Sequence, residues 1–337
     1  MKNPILQSNP LGSVAQGVKG IAQDVRGASA QVVAQMLSPL TRFQHAFFES
    51  CLAPDGLPPG SQDPFAETAE TVRKPPPGTN PVVLIHGTWA NRYNTWKTLS
   101  PELQNAGFAL FAINYGDTGT FPKVIKGYAD IRESAKELAL FVDEVLKKTG
   151  AKKVDLVGHS QGGGLMPRWY LKFLGGSEKV DKLIGIAPSN HGCTGRGIGT
   201  LCHAIITLLG VQGYATEGIS LMSGQAGLQQ SFEGSQNLNL ELDRDGDTEA
   251  GVNYTVLASL HDEVVTPWKN AYLNPRTGHQ AVNYCLQEYK GYKFDLTAHL
   301  GSPNHPVTAE IVKRALLGKP CDTTSVVVPN VPPLITP

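Results

Sequence analysis

An α/β fold, with a mostly parallel sheet covered by helices on both faces, follows from three features of the sequence. Apolar runs of strand length alternate with helix-patterned segments from Pro81 onward. The third such run ends in Gly-His-Ser-Gln-Gly, a strand feeding a very tight turn. Late in the chain a long, partly apolar insertion interrupts the rhythm, as a cap on such a fold does.

Before the alternation begins, residues 1–50 place Val14, Val18, Ile21, Val25, Val32 and Met36 at helical spacing, which predicts an amphipathic N-terminal extension. Residues 51–81 are dense in proline and predict a surface linker. The catalytic domain is expected over 82–318 and a tail over 319–337. Within it, "PVVLIHG" reads as a buried strand, "TWKTLSPELQNAG" as a helix closed by Gly107, and "FALFAINYG" as a second strand. Ile131 to Gly150 is a long helix, "KVDLVGHS" a third strand, and a helix follows Ser160. "VDKLIGIAPS" and "VNYTVLAS" supply a fourth and a fifth strand. Continuous apolar strands separated by helices imply burial on both faces of the sheet. The stretch from about 190 to 250 is too long for a simple connection, and its apolar centre, Ile198 to Val211, reads as a cap over the carboxyl ends of the strands.

Composition narrows the partners. Lysine and arginine number 29 and aspartate and glutamate 29, so nothing electrostatic recommends nucleic acid or an anionic membrane. The charged fraction, 17%, is below the roughly one quarter usual in soluble domains and suits a protein that meets apolar material. No stretch near the N-terminus matches the roughly 7–15 apolar residues of a secretory segment, and no run reaches the roughly 18 of a membrane span. We therefore expect a soluble chain without a transmembrane segment.

Five cysteines form no CxxC pair and give little support to zinc. Cys193 and Cys202 flank a glycine-rich segment and could close a small loop, while Cys285 and Cys321 could tie down the tail. Both bridges imply an oxidising compartment and leave Cys51 over; buried thiols throughout are the alternative.

The chemistry centres on Ser160. A serine hydroxyl needs a base held in one tautomer to become a nucleophile. In G-x-S-x-G the serine sits on a strained turn where flanking side chains would collide, and Gly158 and Gly162 occupy those flanks. The acid and then the histidine must follow on loops at the carboxyl ends of later strands. Asp262, just past "YTVLAS", fits the acid; Glu263 is the neighbour that could substitute, and Asp295 lies too close in sequence to the next candidate histidine, His299, to orient it easily. Of His279, His299 and His305, we favour His299, on the loop before the last helix, and read His305 before Pro306 as a helix-start residue. His86 and His159 read as structural. For the oxyanion, Gln161 offers its main-chain N–H by position, and Thr88 in "IHGTWAN" offers an N–H and a hydroxyl. Asp243, Asp245 and Asp247 before Glu249 invite a calcium reading, but the twelve-residue loop spacing is missing, so a solvated acidic turn and no metal are expected.

With these residues in place, the chain resembles the bacterial lipases called lipase class 2 and, more distantly, the fungal lipase B of Candida antarctica. The resemblance is carried by "PVVLIHGTWANRYNTW", "FALFAINYG", "VDLVGHSQGGGLMPRWYLKFLGG", "LIGIAPSNHG", "GDTEAGVNYTVLASLHDEVVTP" and "AHLGSPNHPVTAEIVKRAL", spanning about Val82 to Leu317. It implies an α/β-hydrolase fold with Ser160, Asp262 and His299 as triad, and Thr88 and Gln161 at the oxyanion hole. It further implies hydrolysis of triacylglycerols or similar lipophilic esters without a cofactor, secretion, transient contact with a lipid interface, and a pairing of Cys285 with Cys321. Fungal relatives pair an early cysteine with one in the second strand, where Ala109 stands here, so Cys51 is expected to lack that partner. The same machinery could serve a polyester hydrolase or an acyltransferase; a non-catalytic binding protein on the same fold is the third possibility.

Overall fold

The computed structural model describes residues 30–208, 225–232 and 238–324. Residues 1–38 form a unit of their own, of which only the helical stretch from Ala30 is described; the remainder, from Pro39, forms the second unit. The predicted apolar positions Val14 to Val25 lie outside the described residues.

Among the described residues, seven strands form one sheet in the order β1-β3-β2-β4-β5-β6-β7, and every pairing is parallel. The strands are β1 (Ser61–Gln62), β2 (Val82–Ile85), β3 (Leu110–Ile113), β4 (Val154–His159), β5 (Val180–Ile186), β6 (Asn253–Ala258) and β7 (Gln280–Cys285). This is the α/β-hydrolase fold. The sequence foretold the five central strands because both of their faces are apolar. Alternate side chains enter two different cores: Val83, Ile85, Phe111 and Ile113 on one face, Val82, Leu84, Leu110 and Ala112 on the other. The two edge strands escaped that pattern. β1 is two residues within the proline-rich stretch, and β7 (QAVNYC) mixes polar with apolar residues and is exposed or half exposed up to Cys285.

The first face is covered by the helices Ile131–Thr149, Leu165–Phe173 and Gly195–Leu208, the other by Leu99–Asn105 and Pro306–Leu316. Helix Ile131–Thr149 begins where the Asp130 carboxylate accepts the N–H of Arg132, and it stops at Gly150, whose φ of 73° is left-handed. The helix expected over "TWKTLSPELQNAG" is Leu99–Asn105, and the first two residues of that segment end a separate short helix, Arg92–Trp96. Phe43 and Phe47, near the end of helix Ala30–Leu52, are fully buried in the first core.

In the expected cap region, helix Gly195–Leu208 buries Ile198, Leu201, Ile205 and Ile206 against the same core. Residues 209–224 and 233–237 of that region lie outside the described residues. Two expectations are corrected. None of the five cysteines is disulfide-bonded. Cys202 is built into helix Gly195–Leu208 while Cys193 pairs with Phe232 in an isolated bridge, and the Cys285 thiol donates to Gln287 Oε1 instead of meeting Cys321. Nor is the Asp243–Asp247 stretch a freely solvated turn, because two of its carboxylates are drawn into a half-buried ionic cluster with His191 around the buried Arg168. Among the described residues, no helix is long and apolar enough to cross a membrane.

Candidate active site

Strand order reverses between β2 and β4, and their registered pairing brings Ile85 opposite Gly158. The loops that leave these two strands therefore open side by side at the carboxyl edge, the usual place for a site in an open parallel sheet.

β4 is buried along its whole length, and the chain turns abruptly at its end. Ser160 sits at φ 56°, a left-handed conformation costly for a residue with a Cβ. The flanking glycines are required by contact. A Cβ on Gly158 would lie 1.8 Å from the carbonyl oxygen of Gly162, and one on Gly162 would lie 2.1 Å from that of His86. A Cβ on Gly87 would lie 2.9 Å from Ser160 Cβ, so glycine there lets the loop after β2 approach the serine. The turn at Gly87 is thus a condition of the site's closeness.

That loop carries Thr88 and Trp89. Trp89 is also left-handed, at φ 58°, and fully buried. Gln161 Nε2 donates to Thr88 Oγ1 at 3.0 Å and to the carbonyl of Gly127 at 3.3 Å. Tyr115 Oη donates to the carbonyl of His86 at 2.8 Å and lies 3.3 Å from Gln161 Oε1. With its oxygen accepting from Gln161, the Thr88 hydroxyl keeps its own proton to donate elsewhere. His86 is explained by structure: Nδ1 donates to the Gly87 carbonyl at 2.8 Å, Nε2 accepts from Tyr115 N, and burial pushes the ring down to about 3.

β6 leads to Asp262. Its Oδ1 accepts the main-chain N–H groups of Val264 at 2.9 Å and Val265 at 2.7 Å, and both oxygens take the Nδ1–H of His299 at 3.1 and 3.0 Å. His299 is 1% exposed. Burial alone would lower its pKa, but the charge of Asp262, the hydrogen bond to it and the charge of Glu263 outweigh burial and hold the imidazole above its ordinary value. Its Nε2 is buried and makes no hydrogen bond. The ring lies 4.7 Å, centroid to centroid, from that of His159, the residue before Ser160. His159 donates from Nε2 to the His299 carbonyl at 3.1 Å, and burial holds it neutral.

The competing histidine is disposed of by its bonds. His305 Nδ1 accepts the N–H of Val307, capping helix Pro306–Leu316, and Nε2 donates to Asp295 at 3.2 Å. With both nitrogens committed it has none left to take a proton. Asp295 therefore orients His305 and, through Thr297 N at 2.7 Å, shapes the loop that carries His299. Ser259 and Gln287 fasten the same loop, Ser259 Oγ to the Thr297 carbonyl at 2.6 Å and Gln287 Nε2 to that of Asp295 at 3.0 Å. His279 bonds Thr248 far along the chain from these groups.

Three sequence-derived residues are thus brought together as Asp262, His299 and the His159–Ser160 turn, and two more as Thr88 and Gln161. Ser160 Oγ and His299 Nε2 are not hydrogen-bonded to each other; such bonds tighten when substrate arrives. Sequence reasoning missed the role of Glu263, whose Oε2 accepts the main-chain N–H of His299 at 2.9 Å.

Among the described residues, one cluster has metal-ligand composition, His191, Asp243 and Asp247. Arg168 already binds Asp243 at 2.7 Å, and His191 spends both nitrogens as donors, to Asp243 Oδ2 and to the Tyr272 carbonyl. The carboxylates are neutralised from within the protein.

Comparison with known proteins bears on the family and the fold. The family model described as Lipase (class 2) matches residues 79–275. Triacylglycerol lipases of Pseudarthrobacter phenanthrenivorans and Burkholderia plantarii are each 33% identical over 92 residues, which is 25% of this chain and 25% and 23% of theirs. The chain thus spans about a quarter of the length of these curated relatives. Among solved structures, Aspergillus fumigatus lipase B is similar with a TM-score of 0.56 and 20% identity, over 77% of this chain and 59% of that one. Bacillus licheniformis lipase BlEst2 in its mature form follows with a TM-score of 0.51 and 15% identity, over 73% and 95%. At these identities the structural likeness speaks for the fold.

Proposed function

Because the chain belongs to the class 2 lipase family, whose model matches residues 79–275, we propose that it is a serine-dependent carboxylic ester hydrolase acting on triacylglycerols or similar lipophilic esters. The observation that carries this reading is the pair formed by Asp262 and His299. A buried imidazole is held by a carboxylate at Nδ1, its Nε2 is uncommitted, and it lies beside the strained turn of Ser160.

In this reading His299 Nε2 takes the proton of Ser160 as Oγ bonds to the acyl carbon, and the carbonyl electron pair moves onto oxygen. The main-chain N–H of Gln161 with the N–H and hydroxyl of Thr88 stabilise that oxyanion. When the intermediate collapses, the leaving alcohol takes the proton from Nε2 and an acyl-Ser160 ester remains. Water then repeats the sequence with His299 as base, releasing the acid and restoring the serine. Asp262 keeps Nδ1 protonated and faces the imidazolium while it exists. No step requires a cofactor.

The lipophilic substrate is taken from the family, and helix Gly195–Leu208 stands next to the site. That helix docks on the acid loop so closely that a Cβ on Gly197 would lie 1.9 Å from the Val264 carbonyl oxygen. We take contact with an oil surface and action outside the cell as parts of the same reading, on the family resemblance; a chain found wholly in the cell lysate, with none in the medium, overturns the second.

The test is hydrolysis of p-nitrophenyl esters from acetate to palmitate and of emulsified triolein, by the protein and by Ser160→Ala. Long esters and triolein should be cleaved, and the variant should lose at least about 10³-fold in kcat. Cleavage of short esters alone makes an esterase or polyester hydrolase the better reading. A fully active variant removes Ser160 from the mechanism.

A further inference from the structure

Asp262 and Glu263 are adjacent in sequence, and both hold the same histidine by different groups. Asp262 takes the imidazole Nδ1–H, while Glu263 Oε2 takes the main-chain N–H at 2.9 Å. We propose that Glu263 is a positioning residue of the triad: it fixes the backbone of His299 against the acid loop and supplies a second negative charge beside the imidazole. The inference rests on the triad reading above and goes beyond it.

The grip has a geometric purpose. The loop that carries His299 is fastened at the Asp295 and Thr297 end by Gln287 and Ser259, and beyond the histidine by the His305 cap. Between those anchors, the main chain of His299 is held by two side chains. Glu263 takes its N–H, and His159 donates to its carbonyl at 3.1 Å. The imidazole is thereby aimed from the backbone as well as from Nδ1. A ring that must pass a proton between serine and leaving group loses rate steeply with small misplacement.

The electrostatic part requires an account of every charge that faces His299. From the acid loop come Asp262 and Glu263; from the end of β4 comes His159, which burial keeps neutral, with His86 behind it and also neutral. Arg42 reaches the Asn304 carbonyl, five residues beyond His299, at 3.4 Å. Burial, and after it the neighbouring Asp262, raises the Glu263 pKa, while the imidazolium counteracts both. Protonating His299 therefore relieves the repulsion between two carboxylates, which favours the imidazolium that forms in the transition state.

The experiment uses the full chain and the variants Glu263→Gln and Glu263→Leu, with kcat and KM on a p-nitrophenyl ester from pH 4.5 to 9. The titration of the His299 Nδ1–H resonance is followed by proton NMR on the same samples. Glu263→Gln keeps an acceptor for the His299 N–H and loses the charge. It should hold kcat on the plateau within about 3-fold, and move both the acid limb and the NMR midpoint to lower pH by roughly half a unit or more. Glu263→Leu also loses the acceptor and should lower kcat by about 10- to 100-fold with KM little changed. If Glu263→Leu does not fold, Glu263→Gln alone judges the charge. Wild-type pH limb, NMR midpoint and kcat in the folded variants overturn the proposal. Should the wild type hydrolyse no ester, the functional reading fails, and the NMR midpoint of Glu263→Gln still judges whether Glu263 acts on His299.

Discussion

Replacing His191 by glutamine should remove a specific slope from the dependence of stability on pH. His191 donates from Nδ1 to Asp243 Oδ2 at 3.1 Å and from Nε2 to the Tyr272 carbonyl at 3.0 Å, with Asp247 Oδ2 3.3 Å from Nε2. An imidazole that donates at both nitrogens is protonated. Burial would lower its pKa, but the hydrogen bonds it donates to Asp243 and Asp247, with the charge of Asp247, outweigh burial and the opposing charge of Arg168, and raise it to about 9. The unfolded chain has the ordinary value near 6.5. The folded state thus binds this proton more tightly, so its contribution is fully present below about pH 6.5 and is lost as pH rises through about 9.

A gap of about 2.5 units corresponds to roughly 3 kcal/mol, an order-of-magnitude figure. The side chain is 24% exposed, so solvent screening discounts it only modestly. Burial raises Asp243 and Asp247, but His191 and Arg168 together, with the Asn274 N–H at Asp247, hold both below the usual carboxylate range; the His191 part is the same interaction seen from its other side and is not added again. Urea denaturation of both proteins at pH 6, 7.5, 9 and 10 measures the difference. The wild type should lose roughly 3 kcal/mol relative to His191→Gln across that range, equivalent to about 4 °C in Tm for a chain of this length. Parallel curves for the two proteins would refute the argument that His191 is folded as an imidazolium.

Two further predictions test the elbow and the core. Gly162→Ala puts a Cβ 2.1 Å from the His86 carbonyl oxygen, a backbone atom at the end of β2 that cannot easily yield. It should cost more than about 3 kcal/mol or abolish soluble expression, as read by denaturation and yield, and a stable, active variant contradicts the close packing. Phe47→Ala empties a fully buried site in the main core and should cost about 3–5 kcal/mol in the urea transition. A loss below about 1 kcal/mol would mean that the segment after Pro39 is not integral to the domain.

Local constraint and distant closeness divide what could be read in advance. Ser160 was legible because two glycines flank it within five residues at the end of an apolar strand; Gly158 is required by the turn itself, whereas Gly162 is required by the His86 carbonyl from the neighbouring strand. Asp262 and His299 were legible because strand ends could be counted along the chain. β7 was not, since a half-exposed edge strand carries polar residues and shows no apolar run.

Side chains that work by meeting partners far along the chain gave no such signal. Glu263 was noted only as a stand-in for Asp262, and the structure instead sets it on the main chain of His299, 36 residues away. His305 was separated from His299 by sequence position, but the decisive reason is that its nitrogens are spent on Asp295 and Val307. The acidic stretch at Asp243 read as a turn in water because its partners, Arg168 and His191, are supplied by a helix and a loop from elsewhere. The sequence by itself determined the central strands, the glycine-flanked serine turn and the chain order of the three residues proposed as triad, because these are read from motifs and hydrophobic periodicity over a few residues. Only the tertiary structure decided which nitrogen is left to take a proton and which carboxylates are neutralised, because hydrogen bonds and charge act through space across any length of chain.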